Sequence, residues 1–455
     1  MHHPLTTAGL ALYTCIYSSE DKVGSLSPCP DASSSSTWSL AVDTTKPLQS
    51  IDGFGAAWTD ATTYLFDSLD DELVDGLMLD LFTSSGIQLE FMRTTIGQSD
   101  LTPDGRWSFD ENGGEPDPEL AGWSLTEPGQ RMLRYVKRMC AISPDVTLLG
   151  SIWSPPGWMK ENNTLISKYI QAYVNYIVSY LNEYKSSGVE VTAITLQNEP
   201  LHSALVSGEA WTMFMNASYA ALLTNATYAA MAANKLGTEI WAYDHNTDKP
   251  AYPQHVLDNT EVSTVAWHCY ASASGGFEAL QDFARANFGV KQYMTECWLH
   301  DQSGEGFFDL PQFIMRPVQF GASGALAWTL AGSVDLDVSY PGGCRECTGI
   351  VQVDMKARTF EKNHDWYTLG QFSKFVRKGA RYVNVEGDHI YEDNTGVESA
   401  GFINPDGSVI LIVMNKFSNT LEVTVNVDGV DVVQVLAARS LTTLVMGREG
   451  KVMKN

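Results

Sequence analysis

Between residues 50 and 378 the chain alternates between two textures. Short, nearly continuous apolar runs recur: SIDGFGAAW (50–58), LEFMRTTIG (89–97), VTLLGSIWS (146–154), VTAITLQNE (191–199), TEIWAYDHN (238–246), VSTVAWHCY (262–270), KQYMTECW (291–298) and GALAWTLA (324–331). Between most of them lie stretches with a helical period, such as LDDELVDGLMLDLFTS (69–84) and EPGQRMLRYVKRMCA (127–141). From Ser167 to Lys185, Ile170, Val174, Ile177, Leu181 and Tyr184 mark one helical face, and Ser167 is placed to cap it. A strand covered by helices on both sheet faces has no polar side, so it reads as an unbroken apolar run.

About eight strand–helix units in this span predict an α/β fold, a (β/α)8 TIM barrel over residues 51–378. A doubly wound sheet is the alternative. It would want a GxGxxG turn after an early strand, and IDGFGAAW lacks that spacing. From 379 to 455 the pattern turns to alternation with turns: SAGFINPDGSVILIVMNK, LEVTVNVDG, VVQVLAARSLTTLVM. That predicts a C-terminal β-sandwich of five or six strands, with residues 37–50 (STWSLAVDT) supplying an N-terminal strand. Residues 1–36, with the Ser-rich SPCPDASSSSTW, read as a leader segment.

Composition narrows the function. The net charge of −25 would repel nucleic acid, and no apolar run is long enough to span a membrane. Twelve Trp on an acidic protein suit a neutral, hydroxyl-rich ligand, although many belong in a core. No clear signal peptide is present, but sequons at Asn162, Asn216 and Asn225 favour a secreted glycoprotein. Of seven Cys, Cys344 and Cys347 form a CxxC. A redox motif or half a zinc site also fits that spacing. Without a second CxxC zinc is disfavoured, and a loop disulfide is the preferred reading.

In a barrel, chemistry sits where strands end. Two ends carry glutamates, Glu199 and Glu296, on the fourth and seventh strands. Two carboxyls facing each other across a cleft are what glycoside hydrolysis requires. His245, His268 and Asp244 could suggest a metal, but their spacing is not diagnostic and no metal or cofactor is expected.

IDGFGAAWTDA, FMRTTIGQSD, WSPPGWMK, LQNEP, AWHCY, TEC and LGQFSKFVRKGA together resemble glycoside hydrolase family 30, the family of glucosylceramidases and microbial β-glycanases. The resemblance runs from about residue 40 to 450. It implies a barrel with a side β-sandwich built from both termini, and retaining hydrolysis with Glu199 as acid/base and Glu296 as nucleophile. It further implies that Arg93, Asp100, Trp153, Asn198, His268, Tyr270 and Trp328 line the first sugar subsite. Where the family commonly has WN after the last strand, this chain has Thr329 and then Ser333. The GGCRECTGIV loop resembles that of fungal-type endo-1,6-β-glucanases, so the substrate expected is β-1,6-glucan. A glucosylceramidase-like exo-β-glucosidase and a non-catalytic carbohydrate-binding protein are the alternatives. As the acid, Glu199 should hold its proton in the free enzyme, helped by the charge on Glu296. The protein is expected to act as a monomer, without nucleic acid and without stable membrane insertion.

Overall fold

The computed structural model describes residues 10–20, 22–29, 37–202, 212–271, 276–298, 306–341 and 343–448. The eight apolar runs form one parallel sheet. Its strands are β1 (Gly53–Trp58), β2 (Phe91–Ile96), β3 (Thr147–Ile152), β4 (Ala193–Thr195), β5 (Glu239–Ile240 and Ala242–Asn246), β6 (Thr264–His268), β7 (Lys291–Trp298) and β8 (Gly324–Trp328). They run in the order β4-β3-β2-β1-β8-β7-β6-β5. The sheet closes because β5 is broken at Trp241. Its first half pairs with β4 and its second half with β6.

Trp241 belongs to the barrel interior, stacked on Tyr293 with centroids 4.2 Å apart. It shares a layer with Phe91, Leu149, Ala193, Ala266 and Leu326. Side chains two positions apart on a strand share a face. Two residues further on, those strands therefore present Arg93, Ser151, Thr195, His268, Thr295 and Trp328 to the mouth. An apolar floor under a polar mouth is thus written into the strand period.

Several helices bury one face, while His364–Ser373, between barrel and sandwich, is buried almost all round. Thr126–Ile142 turns Met132, Leu133, Val136 and Met139 inward. Ile170–Ser186 begins after a 3-10 turn over Ser167–Tyr169, closed by the Tyr169 N–H on the Ile166 carbonyl. Ser167 therefore opens that turn and does not cap the helix. No described helix is long and apolar enough to cross a membrane.

The sandwich is larger than five or six strands. One sheet holds eight, including Ala380–Val383, Gly396–Ile403, Val409–Asn415 and Ser440–Arg448. The second runs Val385–Glu386, Thr37–Val42, Leu421–Val427, Val430–Leu436. The NPDG hairpin forms as its sequence predicts. Gly407 takes φ 87°, and its N–H closes the turn on the Asn404 carbonyl.

Within the segment expected as a leader, the described residues 10–20 and 22–29 hold two strands. Leu10–Ser19 pairs along Ser440–Arg448, and Lys22–Pro28 pairs with Leu10–Ser19. The reason is edge protection: without them the last strand would leave its outer ladder unpaired. Cys15 and Cys29 close that hairpin as a disulfide. Barrel and sandwich share one continuous core in which Phe54, Phe372 and Phe402 meet Ile410, Ile412 and Leu441. Buried Gln371 stitches the same seam, donating to the Leu441 carbonyl at 2.7 Å.

Candidate active site

Two carboxylates and one guanidinium organise the barrel mouth. Arg93 leaves β2 fully buried, and its guanidinium meets four acceptors. It donates to Glu296, to Asn198 Oδ1 at 2.7 Å, to Asp244 Oδ2 at 2.9 Å and to Ser151 at 3.2 Å. Only a planar fork of five donors can serve so many acceptors at once. Asp244 in turn accepts from Ser151 and Thr195, both at 2.6 Å, and from Thr295 at 2.7 Å. Burial alone would favour the neutral acid. The Arg93 charge and the imidazolium of His268 outweigh it and hold Asp244 well below the ordinary carboxylate range.

Local backbone irregularities aim these groups. The β5–β6 register shifts between Tyr243 and His245, with Tyr243 at φ 84° and Asp244 at φ 59°. The β7–β8 register shifts between Met294 and Cys297. Thr295 and Glu296, adjacent in sequence, therefore both reach the network. Bulges commonly re-aim side chains in this way beside active sites. Glu199 lies four residues past β4 and is held at φ 48°. Its N–H donates to the Asp244 carbonyl at 3.0 Å, and its own carbonyl accepts from the His202 N–H at 2.8 Å. A left-handed glutamate costs on the order of 1 kcal/mol or more and persists because these bonds fix it.

His268 joins the two glutamates. Its Nδ1 lies 3.0 Å from Glu199 Oε1 and 3.7 Å from Glu296 Oε1, while Nε2 lies 3.1 Å from Asp244. Burial disfavours the imidazolium, but the charges of Glu296, Asp244 and Glu199 raise its pKa to about 10. For Glu199 the shift runs opposite to that expected of the acid. Burial favours its neutral form, yet His245, 3.6 Å away, and the hydrogen bond with His268 hold its carboxyl below the usual value. In the free site the proton of this pair sits on the imidazole. Tyr270 donates to Glu296 Oε1 at 3.0 Å, and burial beside both glutamates keeps its phenol protonated.

The cavity above measures about 280 Å³. Asp100, Trp153, Asn198, Glu199, Tyr270, Glu296 and Trp328, all named in the sequence analysis, line it. Trp153 and Trp328 stack at 5.2 Å, with Arg93 4.6 Å over the Trp153 ring. Arg93 and His268, expected to touch sugar, do not line the cavity. They lie beneath it, with both terminal nitrogens of Arg93 and both ring nitrogens of His268 engaged by protein acceptors. Trp298, a sugar-stacking candidate from its place beside Glu296, lines it too. His202 and Asn246 line the cavity without having been singled out as binding residues, as do Cys344 and Cys347. Asn246 could have been read from the strand ends. The two cysteines could not, because a long connection brings them there. They form a disulfide, and so do Cys269, one residue past β6, and Cys297 of β7. Thr329 is buried and donates to the Ala57 carbonyl at 2.8 Å, away from the cavity. Glu199, His245 and His268 bring donor atoms within 4.8 Å of one another, a spacing that a metal could use. His268 would then have to give up its bond to Glu199. Asn162, Asn216 and Asn225 are all exposed.

Paired glutamates at the mouth of an aromatic-lined barrel make this a glycoside hydrolase. The chain belongs to glycosyl hydrolase family 30: that family's TIM-barrel domain matches residues 51–293 and its β-sandwich domain residues 379–444. It is 39% identical to an endo-1,6-β-D-glucanase of Neurospora crassa over 92% of this chain and 90% of that protein. It is also 39% identical to an endo-1,6-β-D-glucanase of Aspergillus fumigatus, covering 86% and 84% of the two chains. A solved endo-β1,6-glucanase superposes with a TM-score of 0.83 at 21% identity, over 96% of this chain and 99% of the other.

Proposed function

We propose that this protein is an endo-1,6-β-glucanase that cleaves β-1,6-glucan with retention, through Glu296 as nucleophile and Glu199 as acid/base. One observation carries the mechanism: both carboxylates line one cavity and face the same nitrogen of His268, Glu199 Oε1 at 3.0 Å and Glu296 Oε1 at 3.7 Å. Retention is the outcome that membership of family 30 implies, with one carboxylate attacking and the other handling the proton. The substrate rests on the endo-1,6-β-D-glucanases to which the chain is 39% identical.

Arg93 and Tyr270 orient Glu296 for attack on the anomeric carbon. Attack consumes the charge of Glu296, which is the largest influence keeping the proton on His268. The proton then passes along the 3.0 Å contact to Glu199, and from there to the departing glycosidic oxygen. In the second half Glu199 takes a proton from water, which releases the sugar, and the restored Glu296 charge draws that proton back to His268. Asn198 uses its amide oxygen on Arg93, so its NH2 is left to donate to a sugar hydroxyl. Disulfides and exposed sequons support action outside the cell.

Product analysis on pustulan tests this reading. Wild type should release β-1,6-linked oligosaccharides and leave a nitrophenyl β-glucoside nearly untouched. Glu296→Gln should be inactive. Glu199→Gln should lose about a hundred- to ten-thousand-fold in kcat on pustulan and be partly rescued on substrates with good leaving groups. Release from glucosides alone, or wild-type turnover by Glu296→Gln, contradicts it.

A further inference from the structure

Resting on the β-1,6-glucan reading, we propose that the turn closed by the Cys344–Cys347 disulfide is a specificity device that sets the Asp100 carboxyl for a hydroxyl of the glucosyl unit bound beside Glu296. Both cysteines line the catalytic cavity together with Asp100, Trp153 and Trp328. The Cys344 N–H donates to Asp100 Oδ2 at 3.1 Å, and the Tyr340 N–H to the Asp100 carbonyl at 2.7 Å. Between them Gly343 donates to the Tyr340 carbonyl at 2.7 Å. A Cβ on Gly343 would stand 2.5 Å from the Asp100 carbonyl oxygen and 2.9 Å from its Cβ. Only glycine allows so close an approach.

The other end of the turn is tied to the opposite wall. The Ile350 N–H donates to the Thr329 carbonyl at 3.2 Å and the Val351 N–H to the Leu330 carbonyl at 3.1 Å. The strand Ala331–Ser333 then pairs with Val351–Asp354. The crosslink therefore stands between Asp100 and the segment that follows Trp328. Among the described residues no cation pairs with Asp100. Burial, with Glu296 and Glu199 adding to it, raises its pKa to about 7. Below that pH its carboxyl both donates and accepts, as a sugar hydroxyl requires. Glu296, Arg93 and His268 are held from the barrel strands and Glu199 by its N–H on the Asp244 carbonyl, so opening the turn leaves their network intact. The cost should fall on binding.

Kinetics on pustulan test this. Losing one well-placed hydrogen bond to a hydroxyl is worth roughly ten-fold. The double variant Cys344→Ser, Cys347→Ser should raise KM by about that factor while kcat stays within about three-fold. Gly343→Ala, which displaces Asp100 without touching the disulfide, should do the same. It also decides the matter if the double variant does not fold. In an Asp100→Ala background the cysteine substitutions should add less than about two-fold, because both changes remove one interaction. An unmoved KM in both variants, a fall in kcat equal to the rise in KM, or full additivity with Asp100→Ala overturns the proposal. Wild type run alongside separates the two readings. No release from pustulan fails the substrate, whereas release with an unmoved KM in the variants fails the loop alone.

Discussion

Arg93 is the residue on which the site depends most, because it neutralises Asp244 and contacts Glu296 from a position that is only 1% exposed. Arg93→Met takes the guanidinium from two buried carboxylates and leaves the His268 imidazolium to face both. The expected loss is about 3–5 kcal/mol in denaturant melts, together with activity. Arg93→Lys keeps a charge but not the fork, so it should retain most of the stability and lose kcat. Equal stability of Arg93→Met and wild type would mean that other donors satisfy those carboxylates. At this scale the sequence was informative about identity and poor about roles. Glu199 and Glu296 stood out because each ended an apolar run. The family resemblance put His268 in the first sugar subsite, and its strand end gave no sign of depth. Its ring nitrogens turn out to face Glu199 and Asp244, and both partners come from other strands.

At the scale of elements, the apolar runs of the barrel announced themselves, since strands buried on both faces need no polar positions. The first strands of the sandwich did not. Leu10–Ser19 (LALYTCIYSS) mixes apolar and small polar residues, and its partner Ser440–Arg448 is more than four hundred residues away. No local pattern encodes such a pairing. The consequence is testable. A chain beginning at residue 37 loses the partner of Ser440–Arg448 and exposes an edge next to the shared core. It should melt at a lower temperature and aggregate on concentration by light scattering. Unchanged melting of that shortened chain would show the N-terminal hairpin to be dispensable.

For the whole molecule, buried acids set the response to pH. Burial raises Asp60 to about 7 and Asp388 to about 6, against an ordinary value of 3.8. A carboxyl raised on folding contributes its full stability below about pH 4 and loses it as pH climbs through the folded value. Each such group then gives up as much as about 1.4 kcal/mol per pH unit within that window. The depressed Asp244 works in the opposite sense, losing stability only on acidification below its ordinary range. Thermal melts should therefore show the protein less stable at pH 8 than at pH 5, and Asp60→Asn should flatten that slope. A wild-type profile that rises from pH 5 to pH 8 would contradict the assignment.

By itself the sequence determined the alternation of strands and helices, the two-domain plan and the pair of glutamates, because strand period and burial are local properties of the chain. Only the tertiary structure decided which groups lie beneath the cavity and which line it, where the proton of the Glu199–His268 pair rests, and that Cys344 and Cys347 reach Asp100. Those outcomes depend on bulges, closure of the barrel through Trp241 and contacts between residues far apart in the chain, and none of these leaves a periodic trace in the sequence.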